Sequence, residues 1–237
     1  MRPRTIAVDL DGTLIYTDHL YHQAAHKCAG IIHAALRPRS PSPIAIHQYR
    51  EDQDHHVLLP EYGAKIMRFP LSWKRTYYHF AIQAGVQTRP EIEEALDHAS
   101  EAFVRGPFWP TPAAKTVLAE LVADGHTLYC VTWGEEAEDL QLRKIRANGF
   151  ERYFAGVIMT GEDKRPHFRS LFNGAAGRGI VVGDSLNHDI QPAVELGLHA
   201  FYVSGTTLRS AMADIDPARY TKLESLSELP AAIRQLE

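Results

Sequence analysis

Four short stretches of the 237-residue chain carry side chains that could act together on a charged substrate. The first is Asp9-Leu10-Asp11-Gly12-Thr13-Leu14, two carboxylates two positions apart with a glycine just behind them. In an extended strand this spacing points both carboxylates the same way, and the glycine lets the chain turn off sharply so that both approach one reacting atom. Further along stand Thr132, whose hydroxyl can hold a phosphate oxygen, and Lys164, a mobile cation. The last stretch is Gly183-Asp184-Ser185, with Asp189 five residues after Asp184. Brought to one rim, these stretches gather four carboxylates, one ammonium and one hydroxyl. Carboxylates packed so closely repel one another and resist ionisation unless a cation joins them. A donor set made only of oxygen suits Mg²⁺, which favours carboxylates, water and phosphate over nitrogen or sulfur.

The elements around these residues must bring them together. Residues 5–10, 127–132, 156–160, 179–183 and 199–203 are short apolar, β-branched runs with little alternation, the pattern of strands buried on both faces. Helical spacing lies between them. Residues 111–124 place Val117, Leu118, Leu121 and Val122 on one face before Gly125. Residues 136–148 have a less clean apolar face of Leu140, Leu142 and Ile145 before Gly149, and residues 188–196 stop at Gly197. Strands alternating with helices predict a doubly wound parallel sheet, whose active crevice lies beyond the carboxyl ends of the strands. Each stretch of reactive residues sits at or just beyond such an end. Between residues 16 and 106 the rhythm breaks: no buried strand is evident, helical spacing is strong over 20–36, 73–84 and 91–104, and the proline-rich 37–43 reads as a loop. The expected fold is therefore α/β, a three-layer Rossmann-like core formed by residues 1–15 and 108–237, with an all-helical module inserted at 16–107. Gly106, Pro107, Pro110 and Pro112 suit a stiff return from that module.

In the string DLDGTL at its first strand, the run into Thr132, Lys164 within DKRPHF and GDSLNHD at 183–189, the sequence resembles the haloacid dehalogenase superfamily of aspartate-nucleophile hydrolases, in its phosphatase branch. The order and spacing of the four motifs span the chain. The resemblance implies a helical cap inserted after the first motif, with Asp9 as nucleophile forming an aspartyl-phosphate and Asp11 as general acid and then base. It further implies Mg²⁺ held by Asp9, Asp184 and the backbone carbonyl of Asp11, with Asp189 in or just behind that shell. Thr13, Thr132, Trp133 and Lys164 are the implied phosphate contacts. A carboxylic acid at Asp11 favours an oxygen leaving group over halide, which needs no proton. One departure is Trp133, where the superfamily often has asparagine; its N–H can still meet phosphate, and its ring can stack on a flat leaving group or pack under the cap.

Composition sets the outer limits. With 25 Lys and Arg against 29 Asp and Glu and 45% apolar residues, the chain has the make-up of an ordinary folded protein and lacks the basic surface that nonspecific nucleic-acid binding needs. Asp9 interrupts the first apolar run too soon for a signal-peptide core, and no run is long enough to cross a membrane. Cys28 and Cys130 are far apart and outside any metal-type spacing, which argues against a disulfide framework and points to the cytoplasm. His19, His22 and His26 share a helical face at a spacing that could hold a transition metal, but with no fourth ligand in sight they read as a partly exposed face; one of them, or Asp18, is expected to look into the site. The insert holds nine of the 13 histidines and balances its charges, so the whole −4 falls on the core. The expected function is hydrolysis of a small phosphorylated metabolite by a Mg²⁺-dependent phosphatase, as a monomer or homodimer. A phosphomutase or phosphotransferase using the same intermediate, or a catalytically silent binding protein, are the alternatives.

Overall fold

A computed structural model describes residues 2–63, 65–134, 138–161, 163–173, 177–204 and 215–236. By contact density the chain forms two compact units, one of residues 1–18 and 108–237 and the other His19–Pro107. The larger unit is a Rossmann-like α/β fold. Its strands are β1 (Thr5–Val8), β2 (Ile15–Tyr16), β3 (Trp109–Pro110), β4 (Thr127–Trp133), β5 (Phe154–Thr160), β6 (Ile180–Gly183), β7 (His199–Val203) and β8 (Thr221–Leu223). Six of them form one sheet in the order β5-β4-β1-β6-β7-β8, every pairing parallel. β2 and β3 pair antiparallel as a separate ribbon, Ile15 opposite Pro110 and Tyr16 opposite Trp109.

The period-2 alternation of the strands sorts their side chains into two cores. Ile6 and Val8 of β1, Ile180 and Val182 of β6 and Phe201 of β7 face one side. There they pack with Val117 and Leu121 of α6 (Ala114–Ala123), Ile145 of α7 (Glu138–Asn148) and Leu229 and Ile233 of α10 (Leu229–Arg234). Ala7, Val131 and Val181 face the other side, against Phe168 of α8 (Arg165–Leu171) and Ala193 and Val194 of α9 (Gln191–Glu195). The result is three layers, helices on both faces of a parallel sheet, as the unalternating apolar strands predict. The chain runs from β1 to β4 and β5 on one side and then crosses to β6 on the other, so the sheet's switch point lies at β1.

The smaller unit contains helices and no strand among its described residues: α1 (Asp18–Ala35), which begins one residue inside the other unit, α2 (Pro43–Gln53), which runs through a wide turn at Asp54–Leu58 into α3 (Leu59–Tyr62), α4 (Arg68–Ala84) and α5 (Pro90–Arg105). Its core is Cys28, Ile32, Trp73, Tyr77, Phe80 and Leu96 with the small residues of α1 between them. Arg50 lies fully buried within it, its guanidinium 2.7 Å from Ser72 and stacked over Phe69, with Asp54 3.3 Å away. A charge can be buried here because every side of it is met by an acceptor or a ring face.

Local differences from the sequence reading have local causes. The loop expected over 37–43 ends early, because Pro43 opens α2: proline suits the first helical turn, where its missing N–H costs nothing, and Ser42 caps the helix by accepting from Ala45 N at 3.2 Å. The helix expected over 188–196 is a wide turn at Leu186–Ile190 running into α9, with Ser185 accepting from His188 N at 3.2 Å. The start expected at 136 lies outside the described residues. β8 and α10 were not expected from the sequence. No described helix is long and apolar enough to cross a membrane.

Candidate active site

β1 ends at Val8, and its last inter-strand hydrogen bond is made by Asp9 N to Val182 O of β6 at 2.9 Å. The chain then leaves the sheet through Gly12, which sits at φ +83°, a conformation side-chain-bearing residues avoid. Leu14 N and Ile15 N both return to Leu10 O, closing the turn. Asp9 and Asp11 are thereby placed at one cleft of about 250 Å³, together with Thr132 and Trp133 from the end of β4, Lys164 and Asp184.

Lys164 joins the two acidic stretches. Its Nζ lies 2.6 Å from Asp9 Oδ1, 2.7 Å from Asp189 Oδ1 and 2.9 Å from Val131 O, so all three donors are used. Asp189 also accepts from Ser185 N at 3.1 Å, which fixes its second oxygen. Thr13 Oγ1 is 3.4 Å from Asp9 Oδ2 and 3.3 Å from Asp184 Oδ1, and its one proton can serve either. Thr13 is fully buried between the two carboxylates. Ligand atoms of Asp9, Asp184 and Asp189 lie within 4.8 Å of one another. Among the described residues no other cluster of this kind is found, and His19, His22 and His26 do not form one.

Burial dominates the electrostatics. It pushes the Asp9 carboxyl up to about 7, against the opposing pull of Lys164 and with a further upward push from Asp189. Burial, reinforced by the charges of Asp9 and Asp189, also lifts Asp184 well above the usual carboxylate range. Burial would lower the Lys164 ammonium, but the flanking Asp189 and Asp9 outweigh it and raise its pKa. Fully ionised, the carboxylates of Asp9, Asp11, Asp184 and Asp189 exceed the ammonium groups of Lys164 and Lys144 by two negative charges, an excess that the raised Asp9 and Asp184 carboxyls meet with protons when no cation is present. A divalent cation of the hard, oxygen-preferring kind fits that excess and that donor set.

Gly183 is required for a reason apart from conformation. A Cβ built on it would stand 2.3 Å from Asp189 Cγ, inside any tolerable contact. Gly183→Ala should therefore displace Asp189 and loosen Lys164, destabilising the fold by about 1–3 kcal/mol as overpacking does. A urea midpoint equal to that of the unsubstituted protein would contradict this.

Two buried residues that hold Asp11 are absent from the sequence motifs. Lys144 Nζ lies 2.8 and 2.9 Å from the two oxygens of Asp11, and Gln141 Nε2 lies 2.8 Å from Asp11 Oδ2 and 2.9 Å from both Thr132 Oγ1 and Trp133 O. Both belong to α7, on the face that the sequence displays as poorly apolar: Gln141, Lys144 and Asn148 fall on its buried side, while Leu142 is only half-buried. The signal was present, as polar residues spaced three and four apart within an otherwise core-facing helix. The carboxylate of Asp11 is thus engaged by Lys144 and Gln141 and stands outside the Asp9, Asp184, Asp189 cluster. Trp133 is half-buried and stacks on His188, ring centroids 5.5 Å apart and planes 25° from parallel, so His188 belongs to the cleft wall rather than to open solvent. Asp18 also lines the cleft. The histidines of α1 belong to the other unit.

No curated protein matches the sequence. Among solved structures, a haloacid dehalogenase-like family hydrolase from Xanthomonas campestris is similar with a TM-score of 0.77 at 20% identity, covering 99% of this chain and 96% of that one. A 2-haloacid dehalogenase from Pseudomonas syringae pv. Tomato is similar with a TM-score of 0.60 at 22% identity, both chains covered in full at 100%. A HAD phosphatase from Thermococcus onnurineus is similar with a TM-score of 0.57 at 19% identity and 97% coverage of each chain. At such identities these likenesses speak to the fold. The sequence itself matches the model of haloacid dehalogenase-like hydrolases over residues 3–197, and with the acidic cleft at the end of β1 this makes the chain a member of that hydrolase family.

Proposed function

We propose that the protein is a Mg²⁺-dependent phosphatase that hydrolyses a small phosphomonoester through an aspartyl-phosphate at Asp9. The observation that carries this reading is a pair of carboxylates in one cleft, each held by its own lysine: Asp9 by Lys164 and Asp11 by Lys144. A nucleophile alone would serve dehalogenation as well. A second carboxyl group beside it adds the proton transfer that an alkoxide leaving group needs and a halide does not.

In the first half-reaction an Asp9 oxygen bonds to phosphorus, the bond from phosphorus to the leaving oxygen breaks, and Asp11 gives that oxygen its proton. In the second, a water oxygen bonds to phosphorus, the Asp9–phosphorus bond breaks, and the water's proton goes to Asp11, which restores the starting state. Lys164 neutralises charge on Asp9 and on the transferring oxygens, Thr132 and the N–H of Trp133 hold those oxygens, and Thr13 keeps Asp9 and Asp184 aligned. Asp9, Asp184 and the Asp11 carbonyl, with Asp189 beside them, would hold Mg²⁺, which supplies charge neutralisation of the phosphoryl group. The helical unit is the candidate cap that excludes water and selects the substrate.

The direct test is a panel of phosphomonoesters and 2-haloacids incubated with purified protein and Mg²⁺. Phosphate release without halide release is the expected result, and halide release without phosphate would overturn the reading. The raised Asp9 carboxyl adds a prediction with a definite sign. Its value of about 7 in the folded state exceeds the ordinary carboxylate value, so metal-free protein is destabilised as pH rises from about 4 through about 7. Mg²⁺ would relieve this by taking the proton's place. The melting temperature should therefore rise with added Mg²⁺ more at about pH 8 than at about pH 5.5, the rise at pH 8 being the equivalent of about 2.7 kcal/mol at a hundredfold excess over the Kd at that pH. Equal shifts at both pH values would contradict the metal assignment.

A further inference from the structure

Lys144 and Gln141 have no place in the motifs that supply the nucleophile, the acid and the metal ligands, yet both are spent on Asp11. Lys144 is 3% exposed and Gln141 2%. Burying a lysine costs desolvation and the freedom of a long side chain, and such a cost is tolerated only where the ammonium is fully met. Here it is met by both oxygens of one carboxylate, with the ring of Phe108 5.7 Å away. The backbone on either side is tied in turn, since Asn148 donates to the main-chain carbonyls of both Phe108 and Lys144 at 3.0 Å.

The Asp11 side chain itself is 31% exposed. Without partners a carboxyl group at the edge of a cleft would move among several rotamers, and only some would reach the leaving oxygen. Gln141 removes that freedom in a specific frame of reference. Its amide spans Asp11, Thr132 Oγ1 and Trp133 O, so the acid is registered against the end of β4, where the proposed phosphate contacts stand. Lys144 fixes the same carboxylate from α7, one turn further along.

We infer that Lys144 and Gln141 are positioning residues for proton transfer, holding the Asp11 carboxyl in register with the phosphoryl site: in the ionised form that Lys144 pairs with it takes the attacking water's proton, and it hands that proton to the leaving oxygen of the next turnover. This rests on the phosphatase reading. The two buried lysines then divide the chemistry between them, Lys164 serving the nucleophile and Lys144 the acid.

Two substrates of nearly the same shape, 4-nitrophenyl phosphate and phenyl phosphate, have leaving groups that differ in their need for a proton, and comparing them tests the positioning role. Lys144→Met and Gln141→Leu should lower kcat/KM for phenyl phosphate about tenfold more than for 4-nitrophenyl phosphate, and Lys144→Arg should recover most of the difference. Thermal melts identify any variant that fails to fold, and Gln141→Leu carries the test if Lys144→Met is one of them. Equal losses on both substrates, or none, would overturn the positioning role. Failure of the underlying reading looks different: unsubstituted protein inactive on both aryl phosphates, or Asp9→Asn as active as the parent.

Discussion

Asp9→Asn is expected to leave a folded protein whose release of phosphate has fallen by about 10⁴-fold or more, the scale on which removal of a covalent nucleophile acts. The amide is nearly isosteric with the carboxylate and has no charge to attack phosphorus. The fold should accept it, because Lys164 keeps Asp189 and Val131 O as acceptors. Burial already disfavours the charged form of Asp9, so a neutral side chain at this position removes a cost that grows through about pH 7. Metal-free Asp9→Asn should therefore melt no lower than the parent at about pH 8. Substantial residual turnover would show that another group attacks phosphorus, and a lower melting temperature would show that the Asp9 charge supports the fold instead of straining it.

Lys164→Met should combine a loss of activity with a loss of stability. The substitution keeps the length of the stem and removes the one ammonium that touches both Asp9 and Asp189. Three buried carboxylates with ligand atoms within 4.8 Å then face one another without it. Removing one partner of a buried ion pair costs about 3–5 kcal/mol, because the uncompensated charge stays behind. The urea midpoint should fall accordingly at neutral pH and recover in part when millimolar Mg²⁺ supplies the missing positive charge. Loss of a charged group aimed at the transferring oxygens should lower kcat by about 10²–10³-fold. An unchanged midpoint would mean that the carboxylates already share protons in the folded state and that Lys164 is not their counter-charge.

The reactive residues are legible in the sequence because each stands at or just beyond the end of a strand, and the strands are recognisable as short apolar runs. Asp9, Thr132 and Asp184 are placed by β1, β4 and β6, neighbours in the sheet, so finding the strands locates the cleft. Gln141 and Lys144 escape for the opposite reason. They meet Asp11 across 130 and 133 residues of chain, and only the packing of α7 against the sheet brings them there. In the sequence they register merely as a blemish on an amphipathic helix. β8 is three residues long and reads TKL, too short and too polar to announce itself, and it exists because β7 offers a parallel edge, Phe201 to Thr221 through Val203 to Leu223. Thr13 belongs to the same motif as Asp9, and its contacts with Asp9 and Asp184 are beyond the reach of sequence because Asp184 lies 171 residues away.

The most direct measurement is chemical trapping of the intermediate. Protein mixed with Mg²⁺ and a turned-over phosphomonoester, quenched in acid and reduced with borohydride, should yield homoserine at position 9 in peptide mass spectra, because borohydride reduces an acyl phosphate and spares a free carboxylate. The account predicts that product only when substrate is present, and none in Asp9→Asn. Steady release of phosphate in the same sample with position 9 recovered solely as aspartate would contradict it.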